Sequence, residues 1–205
     1  MLLITVCGAS ASGKTALSAN ISKYLNSVGI KAHVLELDSY YICHPELPFS
    51  ERTLINYDAP TSFDFPLLKS DLKALMSGSH ITTKKYDYDQ HLRHDTDDPI
   101  YPPQVLILEG IHTFADPDIL AHSDLRVYVD TDPDECIVRR MCRDKISRGR
   151  DVDDIARQYL DTVKPMYDRY IRLYKKDADI CAVGGGKNAR AVDLIVCYIK
   201  EKLRS

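Results

Sequence analysis

The sequence predicts an α/β fold in which a mostly parallel, five-stranded sheet is covered by helices on both faces. Three observations predict it. Short apolar runs alternate with longer segments of helical spacing along nearly the whole chain. One run, Gln104-Val105-Leu106-Ile107-Leu108, is almost wholly apolar, as a strand buried on both faces must be. Asp38, Glu109 and Asp130 each stand where a predicted strand ends, the edge of a parallel sheet at which ligands gather.

The elements follow in order. Leu2–Cys7 is an apolar first strand, and Thr15 begins a helix to about Val28, with Ala16, Leu17, Ile21 and Leu25 near helical spacing. Ala32–Leu37 is the second strand. Asp38 to Pro66 is turn-rich and aromatic, with prolines at 45, 48, 60 and 66. A helix follows at Leu67–Ser77, then a polar, aromatic segment at 80–97 that reads as a short hairpin insertion. The third and fourth strands are Gln104–Leu108 and Leu125–Val129. Thr131 or Asp132 caps the next helix, with Pro133 in its first turn, and that helix runs to about Arg148. Asp151 to Lys176 reads as one long helical segment. Ile180–Val183 is the last strand, Gly184-Gly185-Gly186 a turn, and Ala189–Leu203 the closing helix.

Between the first strand and its helix lies Gly8-Ala9-Ser10-Ala11-Ser12-Gly13-Lys14-Thr15, which matches the phosphate-cradling pattern G-x-x-x-x-G-K-[ST]. Gly8 and Gly13 let the backbone turn tightly so that successive N–H groups face one anion. The helix start adds its positive dipole end. Lys14 brings a full charge to the β- and γ-phosphates, and the Thr15 hydroxyl is a hard oxygen suited to Mg²⁺. The strand before and the helix after are the context this motif requires.

Composition narrows the rest. The 205 residues, 44% of them hydrophobic and 28% charged, suit one ordinary globular domain spanning 1–205. A net charge of −3 with no long basic run argues against nucleic-acid binding. No apolar stretch approaches the length of a membrane span. The N-terminal run ahead of Ala9-Ser10-Ala11 is too short, and lacks the basic start, for a secretory leader. The six cysteines form no C-x-x-C pair; Cys7, Cys181 and Cys197 lie in apolar runs and read as small core residues, a reduced-thiol usage that fits the cytoplasm.

Phosphoryl transfer needs held phosphates, an aligned acceptor and balanced charge. Asp38 is a candidate general base or water-mediated Mg²⁺ ligand, the alternative being a turn cap. Glu109 stands where an acidic Mg²⁺-assisting residue is expected, unless it is a solvated loop acid. Arg139, Arg140 and Arg143, followed by Arg148-Gly149-Arg150, read as a mobile arginine lid over phosphates or as a basic face paired with Asp134, Glu135 and Asp144. Asn56-Tyr57-Asp58, Tyr86-Asp87-Tyr88 and His91 combine aromatic faces with hydrogen-bonding ends, suited to a nucleoside or simply to turns and packing. His33, His44, His80, His94, His112 and His122 lack ligand spacing and read as surface or packing residues.

Taken together, these motifs resemble the uridine–cytidine kinase family, within the wider phosphoribulokinase/uridine kinase group. The match runs through Gly-Ala-Ser-Ala-Ser-Gly-Lys-Thr at 8–15, Asp-Ser-Tyr-Tyr at 38–41, Asn-Tyr-Asp-Ala-Pro at 56–60, Tyr-Asp-Tyr at 86–88, Leu-Glu-Gly-Ile at 108–111 and Asp-Thr-Asp at 130–132. It continues through Arg-Arg-x-x-Arg-Asp at 139–144, Arg-Gly-Arg-Asp at 148–151, Gln-Tyr at 158–159, Val-Lys-Pro at 163–165 and Lys-Lys-x-Ala-Asp-Ile at 175–180. The resemblance implies a P-loop kinase three-layer sandwich with sheet order 2-3-1-4-5, the hairpin at the substrate pocket and a helical lid over 139–158. It implies ATP or GTP as phosphate donor, Mg²⁺, and uridine or cytidine as the small-molecule acceptor.

By the same resemblance, Asp38 is the base near the ribose 5′-hydroxyl. Asp58 holds ribose hydroxyls, with Arg150 beside it and Gln158 near the sugar or reaction centre. Tyr86 and His91 read the pyrimidine and Tyr57 packs on it. Thr15 and Glu109 serve Mg²⁺, and Arg140, Arg143 and Arg148 face the phosphates. A homotetramer is also implied. The chain departs from the family's common pattern at Tyr57 and Tyr88, at Lys84-Lys85, through Asp89-Gln90-His91-Leu92-Arg93, and at His112, where an apolar residue is common. Two readings therefore stay beside the first. One is the same fold acting on another small alcohol or riboside. The other is a non-enzymatic nucleotide switch, against which stand the missing Asn-Lys-x-Asp motif and the retained Asp38 and arginines.

Overall fold

The computed structural model describes residues 1–147, 149 and 151–204. Its sheet grows outward from β1 (Leu2–Gly8), whose residues after Leu2 are all buried. β2 (Ala32–Glu36) follows helix α1 (Lys14–Ser27). A 3₁₀ turn, Leu37–Tyr40, then leads through the short helix α2 (Phe49–Arg52) and a second 3₁₀ turn, Pro60–Ser62, to α3 (Phe65–Met76). The antiparallel hairpin β3 (Ile81–Asp87) and β4 (Leu92–Ile100) comes next. Beyond it lie β5 (Val105–Glu109), α4 (Pro117–Ala121), β6 (Leu125–Asp130) and α5 (Pro133–Ser147). The chain closes with α6 (Val152–Gln158), α7 (Lys164–Arg169), β7 (Ile180–Val183) and α8 (Ala189–Lys202).

The main sheet has the order β2-β5-β1-β6-β7, every neighbour parallel. Counted without the hairpin strands, this is the 2-3-1-4-5 order. The alternation of side chains on the central strands divides the core into two layers. Leu3, Cys7, Leu106 and Leu108 face α3 and α4 through Leu68, Leu72 and Ile119. Ile4, Val6, Val105 and Ile107 face α1 and α8 through Leu17, Ile21, Ile195 and Ile199. β5 is buried throughout, as its apolar run predicts.

Register positions the polar ends. Val6 pairs with Glu109, Glu36 pairs with the same Glu109, and Gly8 pairs with Val129. The strand-end acids and the loop after β1 therefore share one edge. The hairpin is tied to that edge by a buried ion pair, Lys84 Nζ to Asp71 Oδ2 at 2.7 Å, and Tyr40 donates to the same oxygen at 2.8 Å.

Three expectations change. The long helix across 151–176 is broken: α6 passes into a π turn at Tyr159–Val163, then α7, then 3₁₀ turns at Ile171–Asp177. Pro165 has no N–H to donate back to Asp161, so a regular ladder cannot pass through it. Cys181 and Cys197 are exposed rather than core residues. β7 is an edge strand on which only Ala182 is buried, and Cys197 lies three residues from Leu194 on the outer face of α8.

Candidate active site

The turn after β1 is shaped as an anion cradle. A Cβ on Gly8 would come within 2.7 Å of the Val129 carbonyl oxygen, so the loop passes where only glycine fits. Gly13 opens α1 with φ of 98°, and the helix start has neither a side-chain cap nor an acidic residue in its first turn. Its leading N–H groups are left for an anion. The floor is held from behind: Thr131 donates to the Ser12 carbonyl at 2.9 Å, so its hydroxyl braces the loop rather than capping α5.

Beside the cradle, Thr15 Oγ1 donates to Glu109 Oε1 at 2.9 Å. Glu109 is 5% exposed, and its other oxygen, Oε2, is buried without a hydrogen-bond partner. Burial raises its pKa, while Lys14 and the Thr15 bond pull it back. Glu36 is also raised, first by burial and then by the charge of Asp38. A buried carboxylate with an orphan oxygen next to a threonine hydroxyl is a donor set that fits a hard divalent cation.

One cavity joins this corner to the hairpin. Lys14, Thr15, Glu36, Asp38 and Glu109 line one end, and Tyr57, Asp58, Tyr86, Tyr88 and His91 line the other. Ser10, Tyr41, Ile111, Arg140, Arg143 and Gln158 complete its wall. Asp38 thus opens into the cavity that Lys14 enters. At the far end Tyr57 and His91 stack with centroids 4.8 Å apart and planes 6° from parallel, and the Tyr86 hydroxyl lies 3.2 Å from His91 Nδ1. His91 holds its place at the hairpin turn with φ of 52°, in the left-handed region. Arg52 fixes that turn by donating to the Gln90 carbonyl at 3.0 Å.

The arginine helix reaches over the cradle. Arg140, 5% exposed, donates to Ser10 Oγ at 2.8 Å and to Gln158 Oε1 at 3.0 Å, joining the loop, α5 and α6. Arg143 is held by Asp144 at 2.8 Å. Arg148 and Arg150 lie outside the described residues.

The model of the phosphoribulokinase / uridine kinase family matches residues 3–189. The chain belongs to that family. A uridine kinase from Ligilactobacillus salivarius is 41% identical over 203 residues, covering 99% of this chain and 94% of that one. A uridine kinase from Lactobacillus helveticus is 38% identical over 202 residues, covering 98% and 95%. Among solved structures, phosphoribulokinase from Rhodobacter spheroides superposes with a TM-score of 0.63 at 16% identity, covering 89% of this chain and 69% of that one; it shares the fold.

In this family member the structure gathers Lys14, Thr15, Asp38, Tyr57, Asp58, Tyr86, His91, Glu109, Arg140, Arg143 and Gln158 around one cavity. Gly8, Ala11, Ser12 and Gly13 shape the loop below it, and Ala9 lines a small apolar recess beneath Asp58. The sequence reading missed four partners. The Tyr88 hydroxyl donates to Asp38 Oδ2 at 2.8 Å; Tyr88 closes the Tyr86-Asp87-Tyr88 motif just past the end of β3, but nothing in that motif names Asp38 as its partner. Glu36, two residues before Asp38 at the end of β2, also lines the cavity. Thr162 Oγ1 lies 2.9 Å from Asp58 Oδ2, and His112 bonds the Asp58 carbonyl at 2.7 Å. No local pattern announces either contact.

Proposed function

We propose that this chain is a nucleoside kinase that transfers the γ-phosphate of ATP or GTP to the 5′-hydroxyl of uridine or cytidine, giving UMP or CMP. The observation that carries the reading is the shared cavity: an anion cradle with Lys14 at one end, Asp38 between, and an aromatic, hydroxyl-binding end made by Tyr57, Asp58, Tyr86 and His91. The uridine kinases of similar sequence and near-equal length support the choice of acceptor.

The cradle at 8–15 holds the triphosphate tail, and Lys14 and Arg140, with Arg143 and Arg148, balance its charge. Asp38 accepts the proton of the acceptor hydroxyl. Asp58 and Arg150 hold ribose hydroxyls, with Gln158 near the sugar. Tyr86 and His91 recognise the base, and Tyr57 packs on it. Thr15 and Glu109, with Asp38, would hold Mg²⁺, which supplies charge neutralisation at the phosphate oxygens. The segment 139–158 serves as the lid, and the hairpin at 80–97 as the acceptor wall. The assembly is a homo-oligomer, a tetramer by family resemblance, working in the cytoplasm without nucleic acid or membrane.

The test is direct. Purified protein with Mg²⁺ and ATP or GTP should convert uridine or cytidine to the monophosphate. No transfer to either nucleoside refutes the reading. A thermal-shift screen across nucleosides and sugar phosphates identifies the acceptor class, and stabilisation by sugar phosphates alone moves the activity to another alcohol.

A further inference from the structure

His112 sits in the turn that follows β5, three residues after Glu109, and is completely buried. Both ring nitrogens are bonded. Nε2 lies 2.7 Å from the Asp58 carbonyl oxygen and Nδ1 lies 3.1 Å from the Tyr174 hydroxyl. A carbonyl only accepts, so Nε2 carries the proton and Nδ1 accepts from Tyr174. Phe63, Tyr170 and Tyr174 meet the ring edge to face, at centroid distances of 5.7, 6.1 and 5.9 Å. Burial drives its pKa down to about 4, which keeps the ring neutral.

Asp58 lies between α2 and α3 and belongs to no helix or strand; its own N–H donates to the nearby Asn56 side chain at 3.1 Å. Its carboxylate faces the cavity and accepts from Thr162. The His112 bond spans 54 residues and ties this loop directly to the end of β5. Since Nε2–H points at a backbone carbonyl, the ring has no lone pair on that side to exchange protons with an acceptor. Its part is geometric.

We propose that His112 is a positioning residue for acceptor binding: through the Asp58 carbonyl it holds the Asp58 carboxylate where the acceptor's hydroxyl pair meets it. This rests on the reading of Asp58 as the acceptor-binding carboxylate. A substitution should therefore weaken acceptor binding and leave the transfer step and the donor site largely alone.

Three variants test it. His112→Leu keeps apolar bulk and removes both bonds. His112→Gln keeps an N–H donor within reach of the carbonyl. Tyr174→Phe keeps the ring and removes its Nδ1 partner. With uridine as probe, His112→Leu should raise acceptor KM about tenfold or more, with kcat and ATP KM within about threefold. His112→Gln should recover most of the loss, and Tyr174→Phe should fall between them.

Unchanged acceptor KM in folded His112→Leu overturns the inference. So does a fall in kcat with no rise in KM, or a Gln variant no better than Leu. Should the Leu variant fail to fold, Tyr174→Phe decides: a selective rise in acceptor KM supports positioning, and equal changes in all parameters refute it. Amide hydrogen exchange of residues 56–59 gives a readout that needs no activity. It should rise about tenfold in His112→Leu or Tyr174→Phe while β1 and α1 stay protected. Absence of nucleoside phosphorylation by the wild type would remove the proposed function, whereas unchanged exchange at 56–59 would remove the positioning role.

Discussion

Tyr88 holds Asp38: its hydroxyl donates to Asp38 Oδ2 at 2.8 Å inside the cavity that Lys14 also enters. A carboxylate can accept several hydrogen bonds, so the Tyr88 bond fixes its rotation and leaves the other oxygen to meet an acceptor hydroxyl. Tyr88→Phe removes this bond and keeps the ring. A hydrogen bond to a charged group contributes about 1.5–3 kcal/mol, but solvent and the acceptor itself replace part of it. We expect kcat to fall about 3- to 10-fold with acceptor KM changed less than about twofold. Steady-state kinetics on the single variant measures both, and an unchanged kcat would show that Asp38 needs no such support.

Asp38→Asn keeps the shape and the Tyr88 contact and removes the basic oxygen. The expected fall in kcat is about 10²-fold or more while nucleoside binding survives. Turnover near the wild-type rate would move the base elsewhere, and a cavity-lining carboxylate close in sequence is then Glu36, two residues earlier at the end of β2.

His91 lies at the other end of the cavity. Its ring stacks on Tyr57 and meets the Tyr86 hydroxyl through Nδ1. His91→Ala should raise acceptor KM and shift the uridine-to-cytidine ratio of kcat/KM, with ATP KM held within about twofold. A ratio that does not move removes His91 from base recognition and leaves it as a packing partner of Tyr57.

What could be read from the sequence was what local chemistry enforces. The loop at 8–15 carries its own geometry, because Gly8 and Gly13 are required wherever the chain makes that turn. The strands and their parallel packing followed from apolar runs and from acids at their ends, whereas the strand order came from the family resemblance; β5 and β7 begin or end within a residue of the positions expected. The misses share one cause, which is contact between residues distant in sequence. Cys181 and Cys197 lie in apolar runs, but hydrophobicity of neighbours does not say which strand is at the edge or which face of α8 turns outward. Pro165 was visible, yet the π turn it accompanies depends on how the segment packs. His112 and Thr162 reach Asp58 across 54 and 104 residues, so only the folded topology brings them together.

The buried His112 also predicts how stability depends on pH. Its pKa is lowered from 6.5 to about 4, chiefly by burial; Lys14 lowers it further, and the Asp58 carbonyl and the charge of Asp38 oppose the shift. Tyr170 and Tyr174 pack on it edge to face. Between pH 6.5 and about 4 the unfolded chain takes up a proton that the folded chain refuses, so the unfolded state binds more protons and stability falls as pH falls. The contribution is fully present above 6.5 and is lost by about pH 4, and it amounts to about 3 kcal/mol across the window. Glu36 and Glu109, whose pKa values are raised, act in the opposite direction over the acid range. Their effect is common to wild type and His112→Gln, which replaces the imidazole with a group that does not titrate. The difference in unfolding free energy between the two, measured by urea denaturation at a series of pH values, should therefore change by about 3 kcal/mol from pH 6.5 to 4, to the disadvantage of the wild type. Parallel curves would mean that the folded protein admits a proton at His112, and that Nδ1 then donates to the Tyr174 hydroxyl rather than accepting from it.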